Sequence, residues 1–110
     1  MASKMQIQRL VRFSAYFVQS NGTQLVVAEY DNNRALLSDS FPTANFEPAD
    51  VVLGQSDFRG ATANDDDQDG IEDANPTNRT IFGPSDLLIT GNQLLLADTG
   101  NHRILVFDGQ

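Results

Sequence analysis

The densest run of chemically capable side chains in this 110-residue chain is Asp65-Asp66-Asp67-Gln68-Asp69-Gly70-Ile71-Glu72-Asp73. Six of these nine residues carry carboxylates. Carboxylates at alternate positions (Asp65, Asp67, Asp69), followed by a glycine that permits a sharp turn, suit a short loop wrapped around a hard cation. The main-chain carbonyl of Ile71 and the side chain of Asp73 continue the set of oxygen donors. Ca²⁺ takes six to eight oxygens at about 2.3–2.6 Å. The expected metal ligands are therefore Asp65, Asp67, Asp69, Ile71 and Asp73, and the expected ion is Ca²⁺. Crowded carboxylates repel one another, and a bound divalent ion relieves that repulsion. A hydrated acidic loop without an ion is the plain alternative.

The rest of the chain offers little reactive chemistry. His102 is the only histidine and there is no cysteine. No thiolate nucleophile is available, and no second imidazole completes a zinc site or a triad. His102 is expected to serve its turn or local packing, and no catalytic or cofactor-binding residue is assigned. Asp98 and Arg103, echoed by Glu29 and Arg34, flank four-residue turns and are expected to meet across a hairpin. Such a cross-strand pair contributes about 0.2–1 kcal/mol, and its recurrence points to a structural role.

Charge narrows the partners. Seven basic residues against fifteen acidic ones give a net charge of −8, which opposes binding to nucleic-acid phosphates or anionic lipid. No apolar run is long enough to cross a membrane as a helix. Met1-Ala2-Ser3-Lys4-Met5 leads into no apolar run and does not read as a secretory signal. Either the protein stays inside the cell or its leader lies outside this sequence. A calcium-dependent loop favours an extracytoplasmic or secreted setting.

The elements that must position these residues are written twice. Residues 13–40 align without gaps on 82–109, with nine identities in twenty-eight positions. Unrelated segments would share about two, at roughly 6% per position. The identical pairs include Gly22/Gly91, Gln24/Gln93, Leu25/Leu94, Ala28/Ala97, Asn32/Asn101, Arg34/Arg103 and Leu36/Leu105. Each copy holds three short apolar runs separated by Gly and Asn, and no run is long enough for a helix. Asn21-Gly22 is a hairpin signal because both residues tolerate positive φ. The leucine- and valine-rich runs suit strands buried on both faces. Val51-Val52-Leu53 adds a fourth strand to the first copy, the content of one propeller blade. The predicted fold class is all-β, with about two four-stranded antiparallel propeller blades. The divisions are 1–12 (an arm or outer strand for a neighbouring blade), 13–58 (first blade), 59–81 (acidic insertion) and 82–110 (second blade without its fourth strand). Phe46, Phe58 and Phe82 around the long connection are expected to pack within or between blades.

Several motifs carry a family resemblance. Residues 83–107, with Leu94-Leu95-Leu96-Ala97-Asp98-Thr99-Gly100-Asn101-His102-Arg103-Ile104-Leu105-Val106-Phe107, resemble an NHL repeat. Residues 28–37 look like a degenerate copy with Asn33 in place of the histidine, and residues 49–58 resemble an outer-strand segment of large bacterial NHL-repeat proteins. The resemblance implies a propeller, usually of six four-stranded blades, that serves as a non-catalytic scaffold binding a protein or carbohydrate ligand. The alternative it implies is part of a metal-dependent propeller enzyme of lyase or lactonase type. Two blades cannot close a ring of six, so further blades come from a longer chain or from self-association. Three copies of two blades would suffice. The acidic loop is similar in spacing to thrombospondin type 3 repeats and EF-hand loops. It departs from the latter at the twelfth position, where Pro76 stands instead of a bidentate Glu, so the last ligand would pass to Asn75, Asp66 or water.

Overall fold

The computed structural model describes residues 15–41, 43 and 47–108. The proposed N-terminal strand, with Phe13 and Phe46, lies outside them. Among the described residues seven strands form two antiparallel sheets: β1 (Phe17–Ser20), β2 (Leu25–Glu29), β3 (Arg34–Ser38) and β4 (Val51–Leu53) in one, and β5 (Pro84–Thr90), β6 (Gln93–Asp98) and β7 (Arg103–Phe107) in the other. Each sheet is a plain meander, with consecutive strands as neighbours. No helix longer than a single 3₁₀ turn occurs among the described residues.

The repeat offset reappears in the pairing. Val18 faces Val27 as Leu87 faces Leu96, Leu25 faces Ser38 as Leu94 faces Phe107, and Glu29 faces Arg34 as Asp98 faces Arg103. A 3₁₀ turn follows β2 (Tyr30–Asn32) and another follows β6 (Thr99–Asn101). Each ends in a residue with left-handed backbone, Asn33 at φ 53° and His102 at φ 56°. Asn is among the few residues that reach this region at small cost. His102 is thus the closing residue of its turn, and it is exposed.

Local sequence explains the hairpins. In the first, Gly22 takes φ 95° while the Asn21 side-chain oxygen accepts bonds from the Thr23 and Gln24 amides. In the second, Gly91 and Asn92 alone span the gap between Thr90 and Gln93, with Gly91 at φ 57°. β5 begins at Pro84, where a missing N–H does least harm, and a register shift between Pro84 and Asp86 bends its start.

The two sheets share one core. Strand residues alternate between faces, and the face of the first sheet carrying Phe17, Val26, Ala28, Ala35, Leu37 and Leu53 is here termed its front. It packs on the back of the second sheet, which carries Leu87, Ile89, Leu94, Leu96, Leu105 and Phe107. Burying a full aliphatic side chain contributes about 1.5–3 kcal/mol, and Val26, Leu37, Leu87, Leu94 and Leu96 are each at most 3% exposed. Ile81 joins this core fully buried. Its side chain lies against Gly54, where an added Cβ would come within 2.6 Å of it and where φ is +92°. Glycine is required there on both counts.

Burial on both faces, expected of all the apolar runs, holds for β2 and β3, whose last four residues are all buried. It does not hold for the second sheet. β7 alternates half-buried with exposed, and Leu88, Ile104 and Val106 are 51%, 60% and 52% exposed on the front. The face equivalent to the one covered in the first sheet is largely exposed in the second.

Candidate metal centre

Residues 59–81 contain no strand or helix, so side-chain bonds to the main chain shape the segment. Asp65 organises it. Its carboxylate accepts the Asp69 amide at 3.1 Å on one oxygen and the Gly70 amide at 2.8 Å on the other. The Asp69 carboxylate accepts the Ile71 amide at 2.9 Å, and the Asp73 carboxylate accepts the Asp66 amide at 3.1 Å. Gln68 at φ 57° and Gly70 at φ 83° make the sharp bends. Short Asp side chains favour such local turns, because each oxygen reaches an amide a few residues on.

The wrapping brings Asp65, Asp67, Asp69 and Asp73 together, with one oxygen from each lying within 4.8 Å of the others. Asp65 is 3% exposed, Asp73 is half-buried, and Asp67 and Asp69 face solvent. Ile71 contributes an exposed side chain and an amide turned toward Asp69. Asp66 goes elsewhere: it pairs with Arg79 at 2.7 Å and accepts a bond from the Thr77 hydroxyl.

Electrostatics divides the cluster. Burial works to raise the Asp65 carboxyl, but the Gly70 amide, the Asp67 side chain and the Asp69 amide outweigh it and hold Asp65 below the ordinary value. Asp67 is raised, first by its hydrogen bond to Asp65, then by desolvation and the negative charges of Asp69 and Asp73. Two adjoining carboxylates that cannot both ionise freely behave in this way. A divalent cation at this point would relieve the same competition. The donors are all hard oxygens, as Ca²⁺ requires, so the residues fit the ion. Asp65, Asp67, Asp69 and Asp73 would hold it, with the Ile71 carbonyl and water completing the shell. The charge supplied would neutralise their mutual repulsion.

The loop is tied to the second repeat by bonds that sequence reasoning missed. Asn64 is 4% exposed at φ 53°, and its side-chain amide exchanges two hydrogen bonds with that of Asn101, each 2.8 Å long. The Asn64 carbonyl accepts the Asp73 amide, so the two ends of the acidic run are held at this point. Asn101 also donates to Asp98, which is fully buried and further accepts the Phe82 amide and Arg103 Nε, both at 2.7 Å. Arg103 spans on to the carbonyls of Thr77 and Thr80, near the far end of the segment. In the first repeat Glu29 and Arg34 form the equivalent pair, Asn32 donates to Glu29, and Arg34 reaches the Phe58 carbonyl. Asn33 bridges the Ala61 carbonyl and the Gly83 amide at 2.9 Å each. Both acid–arginine pairs thus anchor the connecting segment besides closing their own hairpins. Nothing in the spacing of Asn64 and Asn101, thirty-seven residues apart, signals their pairing. The recurrence of Asn32 and Asn101 at one repeat position was the only hint.

Of the aromatic residues grouped by sequence, Phe58 and Phe82 are described and differ in burial. Phe82 packs over Gly100, where an added Cβ would meet its ring at 2.6 Å, whereas Phe58 is 47% exposed.

No curated protein and no solved structure matches this chain. A family model does: that of the NHL repeat, over residues 83–107. The matched residues coincide with β5, β6, the Thr99–Asn101 turn and β7, and the identical register of the first sheet extends the pattern. The second sheet, on which the acidic loop is docked, is therefore the part of this chain that matches the NHL-repeat model.

Proposed function

We propose that the chain is a non-catalytic binding and scaffold module of NHL type, with a Ca²⁺-binding loop built into the connection between its two sheets. The observation that carries this reading is the convergence of Asp65, Asp67, Asp69 and Asp73 within 4.8 Å, at a site fastened to the repeat through Asn64 and Asn101. A cation there neutralises the one segment whose charge opposes close packing of the connection. It thereby stiffens the turn in which Asn101, His102 and Arg103 lie. The binding surface is built from the sheets and their turns, and its ligand is a protein.

Calorimetric titration of Ca²⁺ into the chain tests the proposal. Saturable binding is expected, with stabilisation of about 2.7 kcal/mol when free Ca²⁺ exceeds Kd a hundredfold. The double substitution Asp67→Ala, Asp69→Ala should abolish both effects and leave the sheets folded, since both side chains are exposed. No heat and no thermal shift in the unaltered chain would remove the calcium reading.

A further inference from the structure

We infer that the front of the second sheet is a docking surface for a second copy of this chain, which seats the back of its β1 there. The argument rests on the repeat offset applied to the interface already present. Within the chain, the front of the first sheet is covered by the back of the second, and β5 lies against β1 and β2. Moving the covered front residues along the offset turns Phe17, Val26, Ala28, Ala35 and Leu37 into Asp86, Leu95, Ala97, Ile104 and Val106. These are the residues of the largely exposed front of the second sheet, where Leu88, Ile104 and Val106 are each more than half exposed. A groove of about 220 Å³ runs across this face between Leu88, Leu95, Ala97 and Ile104.

The complementary surface is also present. Leu87, on the back of β5, is 3% exposed because it is enclosed between the sheets. Its equivalent in the first sheet is Val18, on the back of β1, which is 54% exposed. Val27 and Leu36, further across that back face, are already buried, so β1 is the strand that docks. One polypeptide thus shows a front–back interface once, fully formed, and exposes a second time the front of the second sheet and, of the back of the first, the β1 strand at Val18. Front-to-back contacts are heterologous, so successive copies close into a ring if the rotation permits it and otherwise extend. The net charge of −8 per copy opposes association, so added salt should strengthen it.

Sedimentation equilibrium on the 110-residue chain, from about 10 μM to about 1 mM and at low and high salt, tests the inference in the range of weak specific association. Three samples decide it: the unaltered chain, a front variant (Leu88→Asp, Ile104→Asp) and a back variant (Val18→Asp). All three altered positions are exposed, and thermal unfolding reports that each variant keeps its fold. The unaltered chain should self-associate, more strongly at high salt. Each variant alone should lose at least about tenfold in association constant, since a charge would be buried unpaired. An equimolar mixture of the two variants should form a one-to-one complex and nothing larger, because each retains the surface the other lacks. A monomeric parent throughout overturns the inference. So does a back variant that associates like the parent, which is the result of a face-to-face dimer, or a mixture that shows no complex.

Discussion

In the first sheet β2 and β3 bury their last four residues, whereas in the second β7 buries none and alternates half-buried with exposed positions. The backbones pair in the same register, offset by 69 residues. The turns differ in a parallel way. Asn33 closes the first turn and bridges to Ala61 and Gly83, while His102 closes the second and is exposed. The second turn instead engages the acidic loop through Asn101. The comparison separates what a repeat conserves from what it varies. Pairing register, the 3₁₀ turn and the acid–arginine pair belong to the unit. The surroundings of each turn, and hence its use, belong to the connecting segment.

The largest expected effect on this comparison is at Asp98. It is fully buried and accepts from Phe82, Asn101 and Arg103. Asp98→Ala removes the acceptor of the Phe82 amide and of Arg103 Nε, and breaking a buried pair in this way costs up to about 3–5 kcal/mol, readable by urea unfolding. Gly54→Ala comes next: a Cβ at positive φ pressed into Ile81 should cost about 1–3 kcal/mol as overpacking. Gly22 has positive φ but open space, so Gly22→Ala bears the backbone cost alone, about 1–2 kcal/mol, and should rank below Gly54→Ala.

Asn101→Ala sharpens the contrast between the two turns. It leaves the buried Asn64 amide without its partner, for about 1–3 kcal/mol. Asn32→Ala removes a single longer bond to Glu29 and should cost about 0.5–1.5 kcal/mol. Only the Asn101 variant should also weaken Ca²⁺ binding.

The smallest effect is one of pH. Asp65 is lowered, so its contribution is complete above its ordinary value of 3.8 and is lost as pH falls through the lower folded value. Asp67 is raised, so its contribution is present below 3.8 and is lost as pH rises through the higher folded value. In chelator, melting temperature should therefore carry a component that declines as pH rises above 3.8. Asp67→Asn removes that component, and saturating Ca²⁺ should mask it.

Much of the fold was legible. Short apolar runs bounded by Gly and Asn marked the strands, and residues 25–28, 34–37 and 51–53 fall inside β2, β3 and β4. The offset of the repeat foretold the pairing of Glu29 with Arg34 and of Asp98 with Arg103. The largely exposed front of the second sheet was not legible, because Leu94-Leu95-Leu96 and Ile104-Leu105-Val106 are apolar on both faces and pattern alone cannot say which face has a partner. In the loop, alternate Asp residues and a following glycine pointed to the four carboxylates that converge. The docking of that loop was hidden, since Asn64, Gln55 and Gln68 are ordinary polar residues whose burial and mutual bonds depend on tertiary contact.

The acidic loop is proposed to hold a cation and to pass its effect to the repeat through Asn64 and Asn101. Amide-resolved NMR during Ca²⁺ titration measures both parts at once. The account predicts saturable shifts at the Asp69, Gly70 and Ile71 amides, accompanied by the side-chain amides of Asn64 and Asn101. Shifts spread evenly over exposed acidic residues such as Asp31, Asp57 and Asp86, with none at Asn101, would contradict it.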